Sequence, residues 1–369
     1  MRTHQISFLA GLASLVVLGG LTLTNPNGAL AEAAGASASP DHSAARITVL
    51  YDAFGKTSKM QKDWGFSAYI EYGGKKILFD TGNNADIFAH NVQAKGIDLT
   101  ALDFVVISHR HGDHTSGLNY LLKVNPTVKI YAPQENFGVF GAALPGTFYR
   151  RVESLPPEMR YFDGSPSEQL RFGSPWPNAN FTWITKTTEI APGFNLLLQS
   201  GKWGADLELR EISLAIDTPD GIVLIIGCSH PTIQKIVEET KATTGKPIHL
   251  LLGGMHLLAA KDDQIKEIAT FLRDDAKVDY IVPAHCTGEP AFVILKETFG
   301  DKDVYAGLGA TVVAGKEVRA EAEAGQPVKY AMDADDYRSY RASLAGGLYR
   351  PLLGPSKHAA SSSSLKVSQ

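Results

Sequence analysis

Six consecutive residues, His109-Arg110-His111-Gly112-Asp113-His114, carry three imidazoles and a carboxylate directly after the apolar run Phe104-Val105-Val106-Ile107-Ser108. A buried strand hides Val and Ile readily. It cannot hide imidazoles and a carboxylate unless something pairs with them. Alternate side chains of an extended segment share a direction, so His109 and His111 point the same way. Asp113 and His114 follow where the chain turns toward a helix and face the same cavity from another side. The pattern suits two adjacent cations sharing one water; the alternative is a surface loop that happens to be rich in histidine.

Three later segments also set ligand types at the ends of apolar runs: Gly227-Cys228-Ser229-His230-Pro231, Gly253-Gly254-Met255-His256-Leu257 and Pro283-Ala284-His285-Cys286-Thr287-Gly288. An earlier one, Ile77-Leu78-Phe79-Asp80-Thr81-Gly82, ends a strand-like run in a carboxylate. With His-x-His-x-Asp-His, this last segment resembles the metallo-β-lactamase fold superfamily. The three later segments resemble its branch named after a dihydropterin-linked ribofuranosyl-aminobenzene-phosphate synthase. The resemblance runs from about Ile47 to about Gly309. It implies an α+β fold, a four-layer αββα sandwich, with a binuclear metal centre.

By that resemblance one metal takes His109, His111 and a third ligand, and the other takes Asp113, His114 and His285, with Asp113 the candidate catalytic residue. Many members supply a bridging Asp where this chain has Cys228-Ser229-His230. His230 is therefore read as a ligand, against the alternative of a core histidine satisfied by backbone. Cys228 is kept as a thiolate ligand in the Asp position, against a Cys228–Cys286 disulfide. His256 reads as substrate-facing, with direct ligation a lesser role, and the paired glycines before it allow close backbone approach. Asp80 reads as an acceptor orienting a ligand histidine or as a plain turn residue. Arg110, between ligands, should repel cations unless it points away or binds a substrate anion. A His-rich site with carboxylate accepts zinc, manganese, iron or cobalt; two zinc ions are the default. Zinc lowers the pKa of bound water to about 7, which makes hydroxide available at neutral pH.

The 369 residues, 44% hydrophobic with net charge −4, suffice for a sizeable core and lack the basic excess of a nucleic-acid groove. Arg2 and His4 precede an apolar stretch from Ile6 to Leu23 and then Ala29-Leu30-Ala31. This reads as a signal peptide over residues 1–31, with an uncleaved membrane anchor as the alternative. The expected location is periplasmic or secreted, without stable membrane association once cleaved. A small-residue linker (32–45) leads to the domain (46–310), followed by an extension (311–345) and a Ser-rich tail (346–369) that reads as disordered.

Strand-like segments at Ile47–Asp52, Phe66–Tyr72, Lys75–Asp80, Phe104–Ser108, Val128–Ala132, Phe181–Lys186, Phe194–Gln199, Glu211–Asp217, Gly221–Gly227, Ile248–Leu252 and Tyr280–Pro283 alternate with helix-like ones. Thr115 or Ser116 is placed to cap a helix through Val124. Residues 134–180 break the alternation with Gly, Pro and aromatics, as a lid or a surface elaboration. If a lid, its Arg150 and Arg151 are the natural contacts for a carboxylate or phosphate.

The leading expectation is an exported metal-dependent hydrolase of an ester, amide, lactone or phosphoester, acting on a small molecule, anionic ones among the candidates, rather than on nucleic acid. A synthase acting on a phosphoribosyl or pterin-like substrate is the second, which export disfavours. A non-hydrolytic metal sensor or iron redox protein is the third.

Overall fold

The computed structural model describes residues 44–321 except 57, 136–141, 146–151, 155, 157–158, 161–163, 166–168, 173–174 and 204–206. The expected signal peptide, most of the linker, Arg150, Arg151 and the tail lie outside the described residues. Among those described, no helix is long and apolar enough to cross a membrane.

Two sheets stack face to face. The first has eight strands in the order Val318–Glu321, Thr311–Ala314, Ala45–Tyr51, Ser67–Tyr72, Lys75–Phe79, Phe104–Val106, Ile130–Pro133 and Phe181–Ile184. The second has six, in the order Tyr280–Ala284, Ile248–Gly254, Gly221–Ile226, Leu207–Thr218, Phe194–Trp203 and Thr188–Ala191. Period-two alternation sends Ile77 and Phe79 inward and Leu78 outward, and likewise Phe104 and Val106 against Val105. The inner faces share one core, in which Ile47, Ile70, Phe79 and Val106 meet Leu214, Val223, Leu250 and Val282. Helices Ala85–Lys95 and Leu118–Val124 cover the outside of the first sheet through Phe88, Val92, Leu118 and Leu121. Helices Ile233–Thr244, Asp262–Thr270 and Glu289–Phe299 cover the second through Ile236, Ile265 and Leu295. The result is the αββα sandwich, an α+β fold.

Local chemistry sets the element ends. The Asn84 carboxamide accepts from the backbone of Asp86 at 2.9 Å and Ile87 at 3.2 Å, and Gly96 closes that helix with φ 65°. Gly73 and Gly74, with φ 57° and 74°, make the hairpin between Ser67–Tyr72 and Lys75–Phe79.

Several expectations are corrected. Thr311–Ala314 and Val318–Glu321, assigned by sequence to an extension beyond residue 310, are strands of the first sheet, the former pairing onto Ala45–Thr48 and the latter onto the former. Their four-residue length left too little periodicity to read. Neither Thr115 nor Ser116 caps the helix ending at Val124; Gly117 stands there, and both hydroxyls donate backward, to His111 O and Gly112 O. The strands read as Phe194–Gln199 and Glu211–Asp217 extend into a long hairpin, Phe194–Trp203 with Leu207–Thr218. Within 134–180, Ala142–Pro145 and Gln169–Phe172 pair as a separate ribbon.

Val312 is fully buried between the sheets, so Val312→Asp is expected to destabilise the fold by at least about 3 kcal/mol. Urea denaturation checks this; a change within about 0.5 kcal/mol, typical of surface positions, would mean that these terminal strands are dispensable.

Candidate metal centre

The site forms where parallel strands end. Lys75–Phe79 and Phe104–Val106 run parallel in one sheet, as do Gly221–Ile226, Ile248–Gly254 and Tyr280–Ala284 in the other. Their carboxyl ends lead into Asp80, His109, Cys228, His256 and His285. In α/β sheets that edge is where chain direction changes, and side chains there converge on a ligand.

The six expected metal ligands come together as two sets. Nε2 of His109 lies 3.0 Å from Nδ1 of His111, and the His230 ring centroid lies 4.8 Å from each of theirs. Nε2 of His114 lies 3.2 Å from Nε2 of His285, and Asp113 Oδ2 stands 3.4 Å from the latter and 3.8 Å from the former. Cys228 belongs to both sets. Its sulfur lies 3.2 Å from His114 Nε2 and within 4.8 Å of donor atoms of His109 and His230 and of His114 and His285.

This donor set fits a pair of metal ions. Nδ1 of His109 is 2.9 Å from Ser108 Oγ, and Nδ1 of His114 is 2.7 Å from Asp80 Oδ2. With N–H donated on those sides, each Nε2 turns a lone pair into the cluster, the usual arrangement behind a ligating imidazole. Lone pairs facing each other at such distances repel unless a proton or a cation lies between them. Nδ1 of His285 is buried with no hydrogen-bond partner among the described residues.

Three buried carboxylates hold the ligand loops from beneath. Asp80 accepts from Ser108 N and Ser108 Oγ, both at 2.7 Å, besides His114. Glu211 accepts from the backbone of Cys228, Ser229 and His230 at 2.8, 2.8 and 2.7 Å. Asp52 Oδ2 accepts from His285 N at 3.0 Å. Sequence reasoning noticed only Asp80. The signal that marked it, an apolar strand closing in Asp, is equally present in Val49-Leu50-Tyr51-Asp52. Glu211 carried no comparable signal, since a Glu near a strand end is ordinarily solvated.

Electrostatics follow from burial. Burial presses the His109 ring well below its ordinary pKa, His111 down to about 4 and His230 down to about 3, and neighbouring histidines add to it. These three are neutral at pH 7 and ready to ligate. Burial would lower His114 too, but the adjoining Asp80 carboxylate outweighs it and raises the ring to about 9. Burial opposes ionisation of Asp113, yet the His285 hydrogen bond and nearby imidazoles hold it well below the usual carboxylate range. Burial alone lifts Asp52 to about 7 against its hydrogen bonds.

The remaining candidates divide. His256 stands exposed at the mouth with φ 54°, its ring 4.4 Å from that of His230. Cys228 and Cys286 are buried and unlinked. Arg110 points away from the cluster, pairing with Glu135 and donating to Glu208 O at 3.0 Å. Trp64, which no sequence motif singled out, is 42% exposed with its ring 5.0 Å from that of His285. Gly65 allows this: at φ 143° it approaches Asp113 O so closely that a Cβ would lie 2.6 Å away.

With His114 raised to about 9, the metal-free site holds a proton at pH 7 that a metal must displace. This proton alone should make apparent zinc affinity rise roughly tenfold per pH unit up to about 9, and should add one proton to the release at pH 7 beyond any that a thiol gives up. Asp80→Asn should abolish that release and weaken binding about 10- to 100-fold. Calorimetry in buffers of different ionisation enthalpy reads both; undiminished release in the variant would break the assignment.

The metallo-beta-lactamase superfamily model matches residues 65–285. A 7,8-dihydropterin-6-methyl-4-(beta-D-ribofuranosyl)-aminobenzene-5'-phosphate synthase of Methanocaldococcus jannaschii is 28% identical over 279 residues, 68% of this chain and 90% of that protein. An uncharacterized protein of the same organism is 27% identical over 63% of this chain and 87% of its own length. A solved structure described as a metal-dependent hydrolase of the beta-lactamase superfamily superposes with TM-score 0.53 at 28% identity, over 69% of this chain and 93% of its own. The matched span contains every candidate ligand at the shared sheet edge, and the chain belongs to the metallo-beta-lactamase superfamily.

Proposed function

We propose that the protein is an exported, metal-dependent hydrolase of a small molecule, with two zinc ions as its working metals. The observation that carries this reading is the meeting of His109, His111 and His230 with Asp113, His114 and His285 around one sulfur. The first three would hold one ion and the second three the other. A metal pair there supplies Lewis acidity and makes water acidic enough to serve as nucleophile at neutral pH.

The chain's own groups do the rest. Asp80, Asp52 and Glu211 fix the ligand loops through backbone and ring N–H groups, so the site is organised before substrate arrives. Asp113, kept ionised and only partly covered, accepts a proton or a hydrogen bond at the reacting edge. His256 holds a proton at the mouth more firmly than an ordinary histidine because Cys286 hydrogen-bonds to it, and is placed to give it to a leaving atom. Trp64 walls the entrance over His285 and keeps bulk water off that side. Arg150 and Arg151 would serve an anionic substrate group. Support for hydrolysis also comes from the similar metal-dependent hydrolase structure.

The printed name of the Methanocaldococcus relative favours a second reading, a synthase acting on a phosphoribosyl or pterin-like substrate. Both readings use the same metal residues and differ in the reaction.

Elemental analysis of purified protein should give about two equivalents of zinc in the pair, and the loaded protein should hydrolyse members of a phosphoester, lactone and amide panel. His111→Ala and His285→Ala should each lower bound metal and abolish that hydrolysis. A loaded protein inert across the panel would favour the synthase, and full metal content in His285→Ala would end the two-metal assignment.

A further inference from the structure

We propose that Cys228, Cys286 and His256 form a third cation locus beside the metal pair, one that takes a soft, thiophilic metal ion. The donor atoms of these three residues all lie within 4.8 Å of one another. The two sulfurs are buried and unlinked, while His256 reaches them from the solvent side. The Cys286 sulfur donates to the backbone carbonyl of Cys228 at 3.6 Å, which ties the two loops together.

The backbone makes room for this row. Gly254 closes the strand Ile248–Gly254, and a Cβ on it would sit 2.7 Å from Cys286 Sγ. Any other residue would occupy the space the sulfur now fills. Two residues on, His256 takes the left-handed φ of 54°, which non-glycine residues adopt only when the surroundings hold them there.

The chemistry separates this locus from its neighbours. His109, His111 and His230, and Asp113, His114 and His285, offer nitrogen and oxygen, with Cys228 as a shared corner. Cys286 and His256 belong to neither set. Two thiolates and an imidazole make a soft donor triad suited to Zn(II), Co(II), Cd(II) or Cu(I). Such Cys₂His sets leave a fourth position open, here on the side where His256 meets solvent. Binding requires each thiol to give its proton to water while the sulfur lone pairs coordinate the ion. No electron changes hands.

The full chain, stripped of metal and kept reduced, is titrated with Co(II), reading elemental stoichiometry and thiolate-to-cobalt charge-transfer absorption. Wild type should bind one equivalent more than the pair alone. Cys286→Ser should lose that equivalent and part of the absorption while keeping the pair. His256→Ala should keep the absorption but weaken the last equivalent. Because a serine variant can fail to fold, the unmutated chain gives a second reading: Co(II) should protect Cys286 from alkylation, followed by peptide mass. Unchanged stoichiometry and absorption in a folded Cys286→Ser, or alkylation of Cys286 at full rate with cobalt bound, overturns the proposal. None of these readouts is activity, so a protein loaded with the pair alone, His256 left unligated, that hydrolyses nothing would sink the hydrolase reading and leave this one standing.

Discussion

Burying a carboxylate is among the costliest acts in a fold unless hydrogen bonds or positive charge compensate it, and this protein buries three beneath one cluster of imidazoles. Asp52, Asp80 and Glu211 are essentially inaccessible. Each accepts at least one hydrogen bond from a loop that carries candidate ligands, and Glu211 accepts three. The dependence is mutual. Those loops could not hold their backbone N–H groups away from water without the carboxylates, and the carboxylates would be destabilising without the loops and the positive charge above them. The raised Asp52 pKa shows the debt that hydrogen bonds alone leave outstanding. Cations in the cluster would offset it, so a bound metal would contribute to the fold's electrostatic balance as well as to chemistry.

That arrangement constrains the sheets. The two halves of the site come from different sheets, so their edges must close to hydrogen-bonding distance at one end of the sandwich. Small residues allow it. A Cβ on Gly227 would lie 2.3 Å from Ser108 Oγ, the hydroxyl that links Asp80 to His109. Enlarging that position would part the first ligand loop from the Cys228 loop. Nearby, Ser229 takes φ 67° and His285 φ 45°. Such conformations persist where surrounding bonds over-determine them, and here the bonds come from Glu211 and Asp52.

The sequence disclosed the parts whose evidence is local. His109 to His114, Cys228 to His230 and His285 were legible because polar ligand types cluster directly after apolar runs, a pattern packing does not produce. The central strands were legible for the same reason of periodicity. Asp52 and Glu211 were not, because their partners are backbone groups: Asp52 and His285 are 233 positions apart, and no side-chain pattern records a bond to a main-chain N–H. The closing strands Thr311–Ala314 and Val318–Glu321 escaped notice because four residues carry almost no period. Their membership of the sheet is decided by the edge that Ala45–Thr48 offers.

Arg110 shows how the same logic works outside the cluster. A guanidinium between two ligand histidines should oppose cation binding, by an amount that depends on distance and on local dielectric. It turns outward onto Glu135, whose carboxylate also accepts from Arg210 N at 3.2 Å, while Arg110 donates to Glu208 O at 3.0 Å. The charge is thereby neutralised at its source. It also bridges the first ligand loop to Leu207–Thr218, the strand that carries Glu211. The first ligand loop is thus tied beneath by Asp80 and beside, through Glu135 and the Glu208 carbonyl, to the strand that carries Glu211. A residue that would oppose the metals if it faced them instead helps hold the rigid frame that receives them.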